Sequence, residues 1–448
     1  MKIKVRFPPS PTGNLHVGTT RTMIYNWLFA KQNKGEIVMR LEDTDTERSN
    51  KEFEADIMNS LKWLGLDWDG PVYRQSERTK LYRKYLEEFL VNKKAFWCNH
   101  SKEELEVENK NQIEAKEPPR HVCSHKQDNL ETGVVIRVSV DSNSDRTISF
   151  NDRVKGKIEF KESLLGDFAI ARNLDSALYH FAVVIDDIDM EISHIIRGDD
   201  HISNTPKHIL IYEALDKPLP IFAHIPLVLG TDRSKLSKRH GATAVSAYKN
   251  DYLPEALFNF LGFLGYTFSK DIISKEEMVA EFELEKVHQS GAVFDIKKLD
   301  WINSQYIKKL PPEEFKKLAN VPELPDEAVL IVTERLEKLS DIQNFNYLWE
   351  KPKYEKDVLQ WKEMKPEEIQ NSLLQSSFCA GVEIKKLGSK LDEIAKDNFG
   401  GDRGAVYWPL RVALSGKKKS PDPIEIIKIL GPKETKERIN EAKKKLES

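Results

Sequence analysis

KIKVRFPPSPTGNLHVGTTRTMIYNWLFAKQNKGEIVMRLEDTD, residues 2–45, reads as a strand, a turn, a helix and a second strand. Lys2 to Phe7 is a short strand. Pro8-Pro9-Ser10-Pro11-Thr12-Gly13 is neither helix nor mid-strand, because each proline fixes φ and removes an N–H donor. Asn14 is placed to cap a helix running to Asn33, with Val17, Ile24, Trp27, Leu28 and Phe29 as its buried stripe. Lys34-Gly35 stops it. Glu36 to Leu41 returns as a strand and leaves Glu42-Asp43-Thr44-Asp45 at its carboxyl end. A β–turn–α–β unit implies a parallel sheet, so the fold class is α/β. Ligands of such sheets sit beyond the strand carboxyl ends, where Gly13 to Thr19 and Glu42 to Arg48 both fall.

Downstream, Glu52 to Leu64 and Ser76 to Asn92 read as helices. From Ala95 the character changes. Residues 101–121 are highly charged, and Val134 to Val140, Thr147 to Asn151 and Gly156 to Phe160 alternate like antiparallel strands, as an insertion would. Tyr179 to Asp187 and Ile192 to Arg197 return to buried-strand character. Thr205 to Leu215 is helical, and Phe222 to Leu229 leads into Lys235-Leu236-Ser237-Lys238-Arg239. Pro254 to Gly265 and Asp295 to Ile307 read as aromatic helices. From Pro311 onward the period is helical with little strand signal, and Gly400 to Gly404 is a turn.

A chain of 448 residues has room for several cores. Its net charge of −3 gives no overall attraction to nucleic acid, so any polyanion site is a local patch. No apolar run is long enough to span a bilayer, and Met1 to Phe7 lacks the apolar core of a secretory signal. Three cysteines in this length are no disulfide framework and point to a reducing cytoplasm.

Chemistry concentrates in four places. His16 to Thr19, at a helix start, offers free N–H groups and partial positive charge; Gly18 admits a planar base or ribose, and His16 can donate to a phosphate. Lys235 and Lys238 flank Ser237 and could neutralise a departing pyrophosphate. Arg6, Glu42, Tyr179 and Arg197 read as strand-end polar residues in apolar segments. Arginine can hold a carboxylate and Glu42 an ammonium, which describes an amino-acid pocket. Each pattern also has a plainer reading: a helix terminus with an incidental histidine, a solvated basic loop, ordinary strand-end ion pairs. Cys98-Asn99-His100 and Cys123-Ser124-His125 form two C-x-H pairs whose four ligands suit tetrahedral zinc. Further on, Arg403 to Lys419 interleaves Tyr407, Trp408 and Arg411 with Lys417-Lys418-Lys419. Trp408 and Leu410 suit a core, and the lysines suit backbone phosphates.

RFPPSPTGNLHVGT (6–19) with KLSKR (235–239) resembles the HIGH and KMSKS motifs of class I aminoacyl-tRNA synthetases. LEDTD (41–45), YHFAVVIDDIDMEISHIIRGDDHISNTP (179–206), YLPEALFNFL (252–261), FDIKKLDWIN (294–303) and WPLRVALSG (408–416) extend the similarity to bacterial-type glutamyl-tRNA synthetases. The resemblance covers nearly the whole chain and is weakest near 320–370. It implies a Rossmann-like catalytic domain in two halves, 1–94 and 179–240. Between them, 95–178 would be an inserted acceptor-stem-binding domain. Residues 241–310 would contact the stem, and 311–448 would be a helical anticodon-binding region.

The implied reaction joins L-glutamate to tRNA(Glu) through a glutamyl-adenylate, with ATP as substrate, Mg2+ accompanying it, and tRNA normally needed even for the first step. His16 and Gly18 match the adenylate-binding motif, and Lys235 and Lys238 the pyrophosphate-stabilising loop. Arg6, Ser10, Glu42, Tyr179 and Arg197 match positions that bind the glutamate or lie beside it, and Asp200 and His201 lie where the family contacts ATP. A structural Zn2+ is implied at 98–125, where several members carry C-x-C…C-x-H; here His100 stands in place of the second cysteine. Leu236 replaces the methionine of the eponymous loop, a volume-conserving change. A cytoplasmic monomer is expected. The alternatives are an enzyme that also charges tRNA(Gln), a catalytically silent tRNA-binding protein, and a nucleotidylyltransferase sharing the first motifs.

Overall fold

The computed structural model describes residues 2–447 except Thr46, Asn129 and Ala242, and only the backbone of Lys238, Cys379 and Ala380. The chain divides into two units, residues 1–249 with 254–299, and residues 250–253 with 300–448.

The first unit grows from the β–turn–α–β segment. β1 (Lys4–Phe7) leads through the proline turn to α1 (Val17–Gln32) and then β2 (Glu36–Leu41), which pairs in parallel with β1, Phe7 opposite Met39. α2 (Lys51–Trp63) crosses to β3 (Asp69–Arg74), parallel to β2 on its other edge. Val5, Phe7, Ile37, Met39 and Leu41 are all buried, the continuous burial of a covered parallel sheet. His16, not Asn14, caps α1: its Nδ1 accepts from Gly18 N–H at 3.0 Å. Histidine is an uncommon cap, so the pattern pointed two residues early.

α3 (Thr79–Val91) leads to the interrupting segment. β4 (Ala95–Cys98), α4 (Lys102–Glu114), β5 (Val135–Val138), β6 (Thr147–Asp152), β7 (Gly156–Lys161), β8 (Ala169–Asn173) and β9 (Ser176–Ala177) follow. β4-β5-β8-β9 is an antiparallel sheet and β6-β7 an antiparallel hairpin. α4 buries no residue and is held at its start by a capping box between Ser101 and Glu104.

The stretch 179–187, expected as a strand, is the helix α5 (Tyr179–Asp189). Every residue from Phe181 to Asp187 is buried, so no apolar stripe marks the helical period, and Val183, Val184 and Ile185 imitate a strand. β10 (His194–Gly198), α6 (Thr205–Ala214) and β11 (Ile221–Ile225) resume the parallel pattern, β10 beside β11. Ser193 joins this pair to β1: its N–H reaches Lys4 O at 3.0 Å and its Oγ accepts from Lys4 N–H at 2.8 Å. β12 (Val228–Leu229), α7 (Pro254–Phe263), α8 (Lys275–Glu281) and β13 (Ala292–Val293) complete the unit. α1 is tied down by its own polar groups. Buried Arg21 donates to the carbonyls of Leu264 and Pro226, and Tyr25 Oη to Leu264 O at 2.9 Å.

α9 (Ile296–Ile307) carries the chain into the second unit, which is helical: α10 (Pro312–Leu318), α11 (Asp326–Thr333), α12 (Pro366–Ser377), α13 (Ile384–Asn398), α14 (Gly404–Ser415) and α15 (Pro423–Glu447). No strand occurs after Val293 among the described residues. α14 ends at Gly416, whose φ of 69° is the left-handed C-terminal cap. Leu410 is fully buried; Trp408 is half-buried and donates to Val358 O at 3.0 Å. Buried Arg438 on α15 is satisfied by carbonyls, Tyr347 O at 2.6 Å and Leu414 O at 2.7 Å. Among the described residues, no helix is long and apolar enough to cross a membrane.

Candidate active site

One cavity of about 470 Å³ lies beyond the carboxyl ends of β1, β2 and β10. Ser10, His16, Gly18, Glu42, Tyr179, Arg197, Asp200, His201 and Lys235 all line it. Residues up to 225 positions apart (235 − 10 for Lys235 and Ser10) meet there because the parallel strands end on one side. Arg6 sits behind this lining. The side chain of Lys238 lies outside the described residues.

At one end is the start of α1. His16 Nδ1 accepts from Gly18, so the ring proton is on Nε2 and that nitrogen remains a donor. Burial, then the nearby Lys235 charge, lowers the His16 pKa, which keeps the ring neutral. Gly18 suits this place, because a Cβ would stand 3.1 Å from His16 Nδ1 and press on the capping ring. The segment after the lysine loop braces this start: Val17 N–H reaches Thr243 O at 2.8 Å, and Val245 N–H reaches Leu15 O at 2.9 Å.

The lysine loop is a set of tight turns. Gly230 N–H bonds Ser234 O at 2.8 Å, Leu236 N–H bonds Val228 O at 2.9 Å, and Leu236 is buried as the loop's anchor. His240 Nδ1 accepts from Ser237 N–H at 3.0 Å while its Nε2 stands 3.1 Å from Asp232. Lys235 Nζ meets Asp200 Oδ2 at 2.8 Å, with the lysine side chain 63% exposed. Against the penalty of burial, that hydrogen bond holds Asp200 below the usual carboxylate range.

The other end is buried. Glu42 accepts from Arg40 at 3.2 Å; burial raises its pKa, opposed by Arg40 and Arg6. Arg6, 2% exposed, donates to Asp187 at 3.3 Å. Tyr179 Oη is 3.1 Å from His201 Nδ1, and burial pushes the phenol up to about 12. Arg197, 5% exposed, is surrounded by neutral groups: His224 Nε2 at 3.1 Å, His208 Nδ1 at 3.3 Å and Thr205 Oγ1 at 2.6 Å. Burial lowers its pKa, the mark of a cation with more charge than its surroundings balance. The cavity thus offers buried cations and a carboxylate at one end, and a helix N-terminus with an exposed ammonium at the other. An amino acid suits the first and a nucleotide triphosphate the second.

A second cluster lies in the interrupting segment. The donor atoms of Cys98, His100, His121 and Cys123 all fall within 4.8 Å of one another. His100 Nδ1 is 3.4 Å from Cys98 Sγ and 3.5 Å from Cys123 Sγ; His121 Nε2 is 3.8 Å from Cys98 Sγ. The sequence reading took His125 as fourth ligand, but the mutually close set has His121 in that place. His125 stands beside it, Nδ1 3.6 Å from Cys123 Sγ. His121 also has the backing a ligand needs, its Nδ1 2.6 Å from Glu108 Oε2 on α4. The C-x-H spacing drew attention to His125 and away from His121, whose partner Glu108 is remote in sequence. Arg40, Asp187, His208 and His224 were missed too, and only the fold brings them to the site.

Comparison with known proteins agrees with this geometry. Residues 2–301 match the family model of the class I tRNA synthetase (E and Q) catalytic domain, and residues 285–443 that of an anticodon binding domain. The glutamate–tRNA ligase of Carboxydothermus hydrogenoformans is 39% identical, covering 98% of this chain and 99% of its own. That of Trichlorobacter lovleyi is 40% identical, covering 98% of each. A crystal structure of a glutamate tRNA ligase from Elizabethkingia meningosepticum in complex with its amino acid superposes with a TM-score of 0.86 at 32% identity, over 99% of both chains. The chain therefore belongs to the glutamate–tRNA ligase family of class I tRNA synthetases.

Proposed function

We propose that this chain joins L-glutamate to tRNA(Glu) in two steps for protein synthesis. The observation that carries the reading is the single cavity with a buried amino-acid end and an exposed phosphate end. In the first step the glutamate α-carboxylate oxygen attacks the α-phosphorus of ATP, and the bond to pyrophosphate breaks. In the second, the 2′-hydroxyl of the tRNA terminal ribose attacks the glutamyl carbonyl, and AMP leaves.

Arg6 and Arg197 attract the substrate carboxylates, and Glu42 its ammonium, whose charge would draw the raised Glu42 pKa back down. Ser10 and Tyr179 complete the amino-acid end. His16, the positive end of α1 and the flat approach over Gly18 receive the nucleotide, with Asp200 and His201 beside it; the N–H groups of Val17 and Gly18, expected free from the sequence, are already taken by Thr243 O and His16 Nδ1. Lys235 and Lys238 neutralise the leaving pyrophosphate; for Lys235 this means exchanging Asp200 for phosphate oxygens. Catalysis rests on positioning and charge, with no covalent enzyme intermediate. Mg2+ would arrive with ATP and neutralise its phosphates.

Cys98, His100, His121 and Cys123 fit Zn2+ by chemistry and spacing, two soft thiolates and two imidazoles at distances close to those across a tetrahedral site. Its contribution there is structural: α4 buries nothing, and the Glu108–His121 contact would fix it to the metal site. Residues 95–178 would receive the acceptor end, 241–310 the stem and 311–448 the anticodon, in a cytoplasmic monomer.

Charging of labelled glutamate onto tRNA(Glu) and tRNA(Gln), side by side, tests the reaction. Charging of tRNA(Glu) alone is expected, and charging of neither, with tRNA shown active by another ligase, would overturn the reading. For the metal, one zinc per chain is expected, retained by His125→Ala and lost by His121→Ala. The reverse pattern would restore His125 as the ligand.

A further inference from the structure

Arg197 is a buried guanidinium with no carboxylate in ion-pair contact among the described residues, yet it is not left to neutral groups alone. Behind it stands His224, wholly buried, and behind His224 stands Asp152, 4% exposed. Asp152 Oδ2 is 2.6 Å from His224 Nδ1, and the same carboxylate accepts the His224 backbone N–H at 3.0 Å. A carboxylate at Nδ1 takes the ring proton on that side. Nε2 is then a bare acceptor, and Arg197 Nε–H donates to it at 3.1 Å. Thr205 adds a second acceptor, 2.6 Å from Arg197 Nη2 and 3.0 Å from the same His224 nitrogen. With the opposite tautomer, two N–H groups would face each other in a dry site.

We infer that Asp152 and His224 are positioning residues that fix Arg197 in the orientation and charge state in which it receives a glutamate carboxylate. The inference rests on the reading of Arg197 as a glutamate-binding residue. Asp152 does not belong to the parallel strands that carry the rest of the pocket. It ends β6, in the interrupting segment 95–178, and its turn is stitched to β11 and beyond. Arg153 N–H bonds Phe222 O at 2.9 Å, and Lys155 Nζ pairs with Asp199 at 2.9 Å. The Asp152 carboxylate also accepts Val154 and Lys155 N–H at 2.9 and 2.8 Å, so the turn's geometry and the carboxylate's aim are one object. The amino-acid end therefore depends on an element inserted from outside the sheet.

The test measures KM for glutamate and for ATP in tRNA-supported pyrophosphate exchange. Removing one partner of a buried, hydrogen-bonded charged set predicts that Asp152→Ala and His224→Leu raise the glutamate KM by about thirtyfold or more. The ATP KM should move less than about twofold, because uniform damage to the fold would shift both constants. His224→Gln is the rescue: its amide donates to Asp152 and accepts from Arg197, so most of the affinity should return. Equal shifts in both KM values, an unchanged glutamate KM in His224→Leu, or no recovery in His224→Gln would overturn the relay. Arg197→Ala separates the two claims. If it leaves the glutamate KM unchanged, the pocket reading itself fails. If it raises that KM while His224→Leu does not, only the relay fails.

Discussion

Behind Glu42, Arg40 is fully buried between Asp187 at 2.7 Å and Asp186 at 3.7 Å; across the cavity, Lys235 is 63% exposed and reaches Asp200 at 2.8 Å. Both are cations paired with acids, and they are built for different purposes. In the interior a charge is matched by the fold unless substrate is to match it, as at Arg197, since an unmatched one is costly at low dielectric. Asp186 accordingly serves Arg78 at 2.7 Å, Gln75 at 2.8 Å and Tyr82 at 2.9 Å as well as Arg40. At the surface, water already solvates both partners, so Lys235 can leave Asp200 for a phosphate at little cost. On the proposed function, the buried end is fixed to select an amino acid and the exposed end is free to follow a phosphate that departs.

The strongest way to break this contrast is Asp186→Ala. It takes one acid from each of two arginines and strands a buried phenol and amide, and should cost about 3–5 kcal/mol of stability, read from urea unfolding of the full chain. A loss under about 1 kcal/mol would mean the interior network is not under the constraint argued here. Lys235→Ala tests the other side. Its rate of pyrophosphate formation in a single turnover should fall by about 10²–10³, as for loss of one transition-state charge partner. Its stability should change by less than about 1 kcal/mol. Full activity would remove Lys235 from the reaction.

The two ends also differ in how far the sequence disclosed them. Prolines, a glycine and an apolar helical run made β1, α1 and β2 readable locally, and with them His16, Gly18 and Glu42, although Trp27 and Phe29 of the expected stripe are only half-buried and Arg21 and Asn26 are buried instead. Lys235 was readable as a charged loop following a strand. The buried network was not, because its partners are joined only by packing: Arg6 with Asp187, Asp152 with His224, Glu108 with His121. The misreading of α5 has the same origin. Asp186 and Asp187 lie on a helix buried all round, where the periodic signal vanishes. Local pattern reports what faces water on one side, and the buried half of this site does not.

A pH series sharpens the comparison at smaller scale. Burial, followed by repulsion from neighbouring cations, pushes His180 and His201 down to about 4, from 6.5 in the free chain. The unfolded chain therefore binds protons that the folded chain refuses. Stability from these groups is complete above pH 6.5 and declines as pH falls from there toward 4. His180 should account for a loss on the order of 1 kcal/mol, and His201, with 38% of its side chain exposed, for less. His180→Gln should show a shallower fall between pH 7 and 4.5 than the unaltered chain in denaturant titrations. Identical slopes would show that His180 keeps its proton in the fold.

The smallest effect is the most discriminating. Asp200→Asn removes the charge of the Lys235 pair while keeping its shape. If exposure governs the pair's worth, stability should change by less than about 1 kcal/mol. Whatever difference remains at low salt should vanish near 1 M, where charges are screened within about 3 Å. The same experiment on Asp186 should show almost no salt dependence, because ions do not enter the packed interior. A loss of several kcal/mol in Asp200→Asn, persistent in salt, would mean that Lys235 is locked to its partner. The loop could not then exchange Asp200 for pyrophosphate without an additional driving force, and Lys238 would have to carry the leaving group alone.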